Sequence, residues 1–509
     1  MSFISLPLLL LLLLFSEQDI DPWFDGSTLM VVVPDAARSR ERWLASPYHR
    51  MVEALADEEI GHLAGVAWQE GLGQLQELTW IDPLPLLEDL RQWRFNAVIR
   101  GDAVVDTHTA VRLISRAAEV FQAVAEQPGG HLSEDGTQII CPAGSITARD
   151  GDELSYHVPG QPLPDYGPAL ALFADDDLGI SFVLSLADDL DGAAQAKRSA
   201  ILGEASTLRL LLGLALGEDG TRLRLVVPDQ RLIGPLRPVE RAALAPLPAN
   251  TLAVMAMGID MRLALDRVLV DHALRWSLSR LVDQDVDDAA GLLVALGLDS
   301  DDPALGQGTM VVAVNPGLPL PHVTLGLPAD ALIDALLVRA GVDITAAGRA
   351  PVRIDQGPRP MHLRRGPQGW GIGTSPALAE LLAVGGRDRF WSGRLANEMA
   401  VDDGDHLVIG ADVRQVLTMT GSLMRIAAGL GGDDVPAEVR LLAPAINAIA
   451  PHARHAVLRF GYDDNSTVLT MRNVLPIGLG LAALGWQLQS GRSPDPVLEP
   501  PGLLDFGPE

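Results

Sequence analysis

Lysine and cysteine are nearly absent from this chain. Lys197 is the single lysine among 38 basic residues, and Cys141 is the single cysteine in 509 residues. Lys197 lies between Ala196 and Arg198, so it lacks the Gly-Lys-Ser/Thr context of a nucleotide-binding Walker A loop. Kinase, Schiff-base and Ser-x-x-Lys chemistry would each need this same lysine. A lone cysteine excludes an intrachain disulfide and the zinc and iron–sulfur sites built from several cysteines.

Positive charge and aromatic residues are also scarce. The formal net charge is -28, and a surface so acidic repels phosphate backbones, so we expect no nucleic-acid partner. Because aromatic residues make up 5% of the chain, the core must consist mainly of Leu, Val, Ala and Ile. The hydrophobic content of 48% is typical of a globular protein, and 509 residues predict two or three domains.

Both ends of the chain carry uncharged apolar stretches. Residues 1–16 indicate a signal peptide or an N-terminal anchor, because the run from Phe3 to Phe15 is long enough for a signal core and too short to span a bilayer. This predicts an exported protein in the periplasm or cell envelope. Residues 473–491 are apolar but short, which favours a buried or interfacial helix, with membrane association through either end as the alternative. The acidic, proline-rich residues 492–509 predict a disordered tail.

One local pattern recurs along the chain: a short apolar strand, a turn with Asp, Ser or Pro, and then a helix. Leu29–Val33 is followed by Asp35, and Leu252–Met257 is followed by Asp260. The same order recurs after residues 323–327, 370–373 and 407–410. A carboxylate just before a helix accepts hydrogen bonds from its free backbone N–H groups. We therefore interpret Asp35 and Asp260 as helix caps, with a role as acid or base as the alternative.

Segments between these units have the pattern of antiparallel hairpins. Leu208–Leu216 alternates Leu with other residues, turns, and returns through Arg222–Val227. Two further hairpins are predicted around the turns at 150–153 and 463–466. Apolar residues at helical spacing predict one long helix from Thr107 to Gln127. The chain is therefore predicted to be an α+β protein, with mostly antiparallel sheets and helices packed on one face.

Two parts of the chain look duplicated. Ser27–Val31 matches Asn250–Val254, and Phe182–Leu186 matches Val323–Leu327, in the same order. These matches predict two related α+β halves, at 17–234 and 250–472, with an inserted segment near 80–166 in the first half. The proline-rich residues 235–249 between the halves predict a linker.

The openings of the two halves carry a family resemblance. Leu247-Pro-Ala-Asn-Thr-Leu-Ala-Val254 and, more weakly, Asp25-Gly-Ser-Thr-Leu-Met-Val31 resemble the repeat openings of exported bacterial proteins of unknown function, a family with tandem strand–helix repeats. The likeness extends across residues 28–472 through strand–helix order. It implies export and an α+β repeat, and it brings no activity or catalytic residues.

Two loops partly match known binding motifs. Asp283–Asp287 begins like an EF-hand calcium loop, but Asp288 stands at the glycine position and Val294 at the position of the bidentate glutamate. Gly369–Gly373 resembles a dinucleotide loop, but Pro376 stands where the third glycine is needed. We interpret the first as a solvated acidic loop and the second as a strand end followed by a helix cap.

Two pairs of residues have metal-ligand spacing. His452 and His455 are three residues apart, and so are Glu59 and His62. Neither pair has the further ligands that a metal site needs nearby in the sequence. We therefore assign no catalytic residue, cofactor-binding residue or metal ligand from the sequence.

These observations favour a non-enzymatic envelope protein that acts as a scaffold or binds a protein partner. The interpretation rests on predicted export, predicted duplication and the lack of a contiguous catalytic motif. The alternative is an exported hydrolase or metal-dependent enzyme whose site is assembled from dispersed Asp and His residues, since catalytic triads need not be adjacent in sequence. A third interpretation is a membrane-tethered subunit of a secretion or surface assembly.

Overall fold

The computed structural model describes residues 24–56, 89–100, 103–126, 131–134, 136–141, 144–149, 152–157, 164–186, 207–228, 236–269, 272–302, 305–317, 321–355, 360–385, 389–431, 437–463 and 466–473. The predicted signal or anchor segment, the Glu59/His62 pair, the apolar segment after Asn473 and the acidic tail lie outside these residues.

Twenty strands are present in the described part of the chain. They are β1 (Phe24–Val33), β2 (Leu90–Arg100), β3 (Ala103–Leu113), β4 (His131–Leu132), β5 (Gln138–Cys141), β6 (Gly144–Arg149), β7 (Glu153–His157), β8 (Leu178–Leu186), β9 (Thr207–Gly217), β10 (Gly220–Val227), β11 (Leu236–Arg237), β12 (Ala253–Asp260), β13 (Gln307–Asn315), β14 (His322–Leu327), β15 (Val352–Ile354), β16 (Met361–Gly366), β17 (Gly369–Gly373), β18 (Asp405–Asp412), β19 (His455–Asp463) and β20 (Ser466–Arg472).

Fourteen α-helices accompany them in the same residues, together with two short 3-10 turns at Phe390–Ser392 and Ala450–His452. The helices are α1 (Ala36–Ala45), α2 (Pro47–Ala56), α3 (Ala117–Ala125), α4 (Gly167–Leu172), α5 (Arg241–Leu244), α6 (Met261–Val268), α7 (His272–Val282), α8 (Ala289–Ala295), α9 (Ala331–Arg339), α10 (Ile344–Arg349), α11 (Pro376–Val384), α12 (Arg394–Met399), α13 (Val413–Gly431) and α14 (Ala437–Ile449).

All described strands belong to one sheet, and every pairing in it is antiparallel. The order is β4-β5-β6-β7-β3-β2-β1-β8-β9-β10-β20-β19-β18-β12-β13-β14-β17-β16-β15, and β11 pairs with β12. The prediction of a mixed helix and strand fold built on antiparallel pairing is confirmed. The strands form one continuous sheet where the sequence predicted several.

Apart from β4 and β11, the described strands follow the same order on both sides of the β10–β20 pair. Outward from β10 lie β9, β8, β1, β2, β3, β7, β6 and β5, and outward from β20 lie β19, β18, β12, β13, β14, β17, β16 and β15. β8 therefore occupies the place of β18, whereas the sequence matched Phe182–Leu186 in β8 with Val323–Leu327 in β14. The segment near 80–166, predicted as an insertion, contains β2, β3 and β5 to β7. On the other side of the sheet, β13 to β17 occupy the equivalent places.

The core of the first half follows the alternation of leucines in β9. Leu208, Leu210 and Leu212 are buried, whereas Arg209 between them is exposed. This core continues across the β10–β20 junction, because the buried side chains of Leu225 and Leu469 lie opposite each other there. Every second side chain of these strands points to the same face of the sheet, and together these side chains form one core that spans both halves.

The other face of the sheet holds the main core of the second half. Buried residues of β12, β13 and β18 pack there against helix and loop residues, which are Leu244, Leu247, Leu382, Phe390, Leu395 and Met399. Two of these, Leu244 and Leu247, lie in the segment predicted as a linker and are 0% and 1% exposed. Residues 236–249 are thus packed against the second half through β11 and α5.

Helices lie on both faces of the sheet around β17, where the sequence predicted one face. The α11 backbone approaches so closely that a Cβ atom on Gly371 would overlap the Ala379 carbonyl oxygen. On the opposite face, Trp370 packs with Ile333 of α9 and Ala347 of α10. The alternation of small and large residues in β17 accounts for this arrangement, since each face receives a different helix.

Two predicted helix caps are present. The Arg38 amide donates to Asp35 Oδ1 at 3.0 Å, and the Leu263 amide donates to Asp260 Oδ1 at 3.3 Å. The interpretation of Asp35 and Asp260 as caps is therefore confirmed.

The predicted helix from Thr107 to Gln127 is wrong over its first half. Residues up to Leu113 form β3, which pairs with β2 and β7, and the helix α3 begins at Ala117. β-branched residues are frequent before Leu113 and favour a strand once two partner strands are available. Apolar spacing alone could not distinguish the two, because Ala110 and Leu113 are buried in either structure.

Candidate functional site

A cleft lies at the ends of the central strands, where β10 pairs with β20. Its volume is about 1420 Å³. Its walls come from α1, the β9–β10 turn, the end of β20, the start of β19, α12 and the first half of α13. These segments range from residue 42 to residue 473, so the fold brings both halves of the chain to one site.

The lining of this cleft is rich in arginine. Six arginines and four acidic residues take part, namely Arg42, Arg222, Arg394, Arg414, Arg454 and Arg472 with Asp175, Asp219, Glu398 and Asp412. Arg42 pairs with Asp177 at 3.4 Å. Within the described residues, no carboxylate lies within 4.0 Å of the other five guanidinium groups. Although the net charge of the chain is -28, the cleft therefore contains five arginines without an ion-pair partner among the described residues.

Some arginines elsewhere in the structure are paired with carboxylates. Arg365 donates to both oxygens of Asp334, at 3.0 Å from Nε to Oδ1 and 2.6 Å from Nη2 to Oδ2. These hydrogen bonds raise the pKa of the Arg365 guanidinium above its ordinary value. Arg459 likewise pairs with Asp402 and Asp405. The cleft arginines other than Arg42 differ from these two, since no carboxylate of the described residues pairs with them.

Arg222 and Arg472 lie directly opposite each other in the β10–β20 pair. On their outer sides, Arg222 neighbours Ala215 in β9 and Arg472 neighbours Val457 in β19. Both arginines are exposed. The row across these four strands therefore contains two adjacent positive charges and no carboxylate.

Asn473 connects the strand ends beneath the cleft. Its Oδ1 accepts hydrogen bonds from the Tyr48 hydroxyl at 2.7 Å and the Thr221 amide at 3.0 Å, and its Nδ2 donates to the His455 carbonyl at 2.9 Å. Gly220 has φ +117, and a Cβ atom there would overlap Asn473 Oδ1. Burial raises the pKa of Tyr48, so its hydroxyl remains a hydrogen-bond donor. These contacts hold the chain on either side of the two arginines.

Asp412 and His455 form a second polar contact in the cleft. They lie opposite each other in the β18–β19 pair, with Asp412 Oδ2 3.4 Å from His455 Nε2. Asp412 Oδ1 accepts a hydrogen bond from the Gln415 amide at 3.0 Å, so the same carboxylate caps α13. His452 lies in the preceding 3-10 turn.

Asp176, which directly follows the lining residue Asp175, has a raised pKa. Burial raises the pKa of its carboxyl group, and the charges of Arg222 and Arg224 offset part of this effect. No carboxylate oxygen of Asp176 is within 4.0 Å of either guanidinium. Asp176 therefore influences Arg222 through space without forming an ion pair.

The two loop motifs of the sequence have structural roles. Asp288 caps α8 by accepting from the Gly291 amide at 2.7 Å, and Asp287 lies 3.7 Å from Arg275. Gly369–Gly373 is the strand β17. Among the residues that the structure describes, no group of three or more His, Cys, Asp or Glu side chains is arranged to hold a metal ion.

The cleft itself was missed in the sequence. Its arginines are spread from Arg42 to Arg472 and form no local motif. One signal was available, since Arg222 begins a strand of one predicted hairpin and Arg472 ends a strand of another. Neither hairpin alone indicates that β10 pairs with β20.

The chain matches no known protein family, and no curated protein or solved structure matches it either. Over the described helices, none is long and apolar enough to cross a membrane.

Proposed function

We propose that this protein is a non-enzymatic binding module of the cell envelope, which holds an acidic segment of a protein partner in the arginine-lined cleft. The observation that carries the proposal is the group of five exposed arginines without a carboxylate partner in the described residues. Arginine is enriched where proteins recognise carboxylates, because its planar guanidinium donates two parallel hydrogen bonds.

The size of the cleft supports an extended ligand. At about 1420 Å³ it exceeds the roughly 300–1,000 Å³ of most small-molecule pockets. The five arginines come from four different helices and strands and one loop, so an extended ligand can contact more of them than a small one can. An acidic chain segment meets both requirements.

We further propose that the two halves arose by duplication and act as a scaffold around the cleft. The equal strand order on both sides of the β10–β20 pair supports this, as do the matching caps, Asp35 just after β1 and Asp260 at the end of β12. The cleft lies at the junction of the two halves, so neither half alone provides its full lining.

The enzymatic alternative has less support from the same residues. Asp412 and His455 resemble part of a catalytic triad, but Asp412 already caps α13. The nearby hydroxyl groups of Thr418 and Ser422 donate to carbonyls one turn earlier in that helix. No nucleophile is therefore seen to share a hydrogen bond with His455 among the described residues.

Fluorescence anisotropy with a labelled oligoglutamate peptide tests the proposal, with an oligolysine peptide as the reference ligand. We expect oligoglutamate to bind and its affinity to fall with added salt, because screening weakens exposed charge pairs. The variant R394Q/R414Q/R454Q should lose roughly tenfold in affinity, whereas R339Q, at an exposed arginine of α9 outside the cleft, should keep it. Equal binding of both peptides, or equal losses in both variants, would contradict the proposal.

A further inference from the structure

Arg222 and Arg472 are placed where a sheet ordinarily avoids like charges. Directly opposite side chains in an antiparallel pair have Cβ atoms about 4.5–5.5 Å apart, and like charges there destabilise the sheet. Their outer neighbours, Ala215 and Val457, bring no negative charge. Asp176 acts on Arg222 from beyond ion-pair distance, and Asp219 lies in the turn that precedes β10. The pair therefore lacks a bound counter-ion within the described chain.

We propose that Arg222 and Arg472 clamp one oxyanion group of the ligand, a carboxylate or a phosphate, between their guanidinium groups. The proposal rests on the function proposed above, because it identifies the anchoring point of the acidic ligand in the same cleft. Two guanidinium groups from opposite strands can each donate hydrogen bonds to one group of this kind. The bound anion then supplies the missing counter-ion and removes the repulsion between the arginines.

The hydrogen bonds of Asn473 give this clamp a fixed base. Asn473 directly follows Arg472 and accepts from the amide of Thr221, which directly precedes Arg222. The two arginines are therefore tied at the backbone on adjacent strands. The fixed backbone limits how far apart the two guanidinium groups can move, which favours a ligand group that contacts both of them.

Thermal melts of the full chain provide the first test. Without ligand, R222Q and R472Q should each melt at a higher temperature than the wild type, because each substitution removes a like-charge contact. Added inorganic phosphate should raise the melting temperature of the wild type and of the control R339Q/R349Q, but not of R222Q/R472Q. A melt series with succinate shows whether carboxylates occupy the clamp as phosphate does. An equal rise with phosphate in R222Q/R472Q and the wild type would overturn the proposal.

Oligoglutamate affinities provide the second test and separate the two proposals. Each single variant should lose about tenfold, and R222Q/R472Q should lose little more than either, because the two arginines share one group. Losses in R394Q/R454Q should add, since those two arginines do not face each other in a strand pair and are not proposed to share one group. If oligoglutamate fails to bind while the phosphate effect depends on Arg222 and Arg472, the oxyanion clamp is supported and the proposed binding of an acidic segment is contradicted. If oligoglutamate binding weakens in R394Q/R414Q/R454Q and not in R222Q or R472Q, the binding of an acidic segment is supported and the clamp is contradicted.

Discussion

The carboxylate of Asp89 accepts hydrogen bonds from both the amide and the hydroxyl group of Ser115, at 3.0 and 2.9 Å. It also accepts from the Arg116 amide at 2.8 Å, so Asp89, just before β2, caps α3, which follows the paired strand β3. Burial alone would raise the pKa of Asp89, but these hydrogen bonds outweigh it and hold the pKa below the ordinary 3.8.

We expect Asp89→Ala to lower the free energy of unfolding by roughly 0.5–2 kcal/mol, the usual range for a lost helix cap. Asp89→Asn should lose less, because it keeps one acceptor oxygen. Since the folded-state pKa is lowered, this stabilisation is present above the ordinary value of 3.8 and is lost as the pH falls through the lowered pKa. Urea unfolding at neutral pH and well below 3.8 measures both effects. A difference from the wild type that stays constant with pH would contradict them.

Asp35 and Asp260 should behave as caps without any ligand. Replacement of either by Ala is expected to reduce the free energy of unfolding by roughly 0.5–2 kcal/mol, and replacement by Asn by less. The loss should be larger for Asp35, whose hydrogen bond is 3.0 Å long against 3.3 Å for Asp260. Denaturant melts of the four variants check this. Negligible losses for both Ala variants would return the two residues to the candidate acids and bases.

Local features of this fold could be predicted from the sequence, and long-range ones could not. The cap at Asp35 and the β9–β10 hairpin depend on residues within a few positions of each other, so their patterns are visible in the chain. The strand β3 depends on pairing with β2 and β7, and its apolar spacing suggested a helix. The pairing of Arg222 with Arg472 joins residues that are far apart in the sequence, so no local pattern indicates the cleft.

Gly371 is required by the close approach of α11. A Cβ atom there would overlap the backbone oxygen of Ala379, which cannot rotate away as a side chain can. We expect Gly371→Ala to lower the free energy of unfolding by about 1–3 kcal/mol. Gly348→Ala is the matched control, because no atom lies within 4 Å of its Cβ position in α10, and it should stabilise by up to about 1 kcal/mol. Equal effects of the two substitutions on denaturant melts would show that α11 does not lie so close.

Asp176 is expected to destabilise the folded protein at neutral pH. Burial raises its pKa above the ordinary 3.8, with Arg222 and Arg224 offsetting part of the shift, so its ionisation is harder in the folded chain. Its contribution to stability therefore falls as the pH rises from 3.8 through the raised pKa. Asp176→Asn should raise the melting temperature at neutral pH and have a smaller effect below 3.8. A lower melting temperature for this variant at neutral pH would be the opposite result.

Hydrogen–deuterium exchange with and without saturating oligoglutamate tests most directly whether the cleft is the binding site. Ligand in the cleft should slow exchange at the start of β10, at the end of β20 and in the first turns of α13, the segments that carry Arg222, Arg472 and Arg414. Exchange at the distant strands β4 to β6 should stay unchanged. Slower exchange confined to those distant strands, or no change anywhere at saturation, would contradict the account.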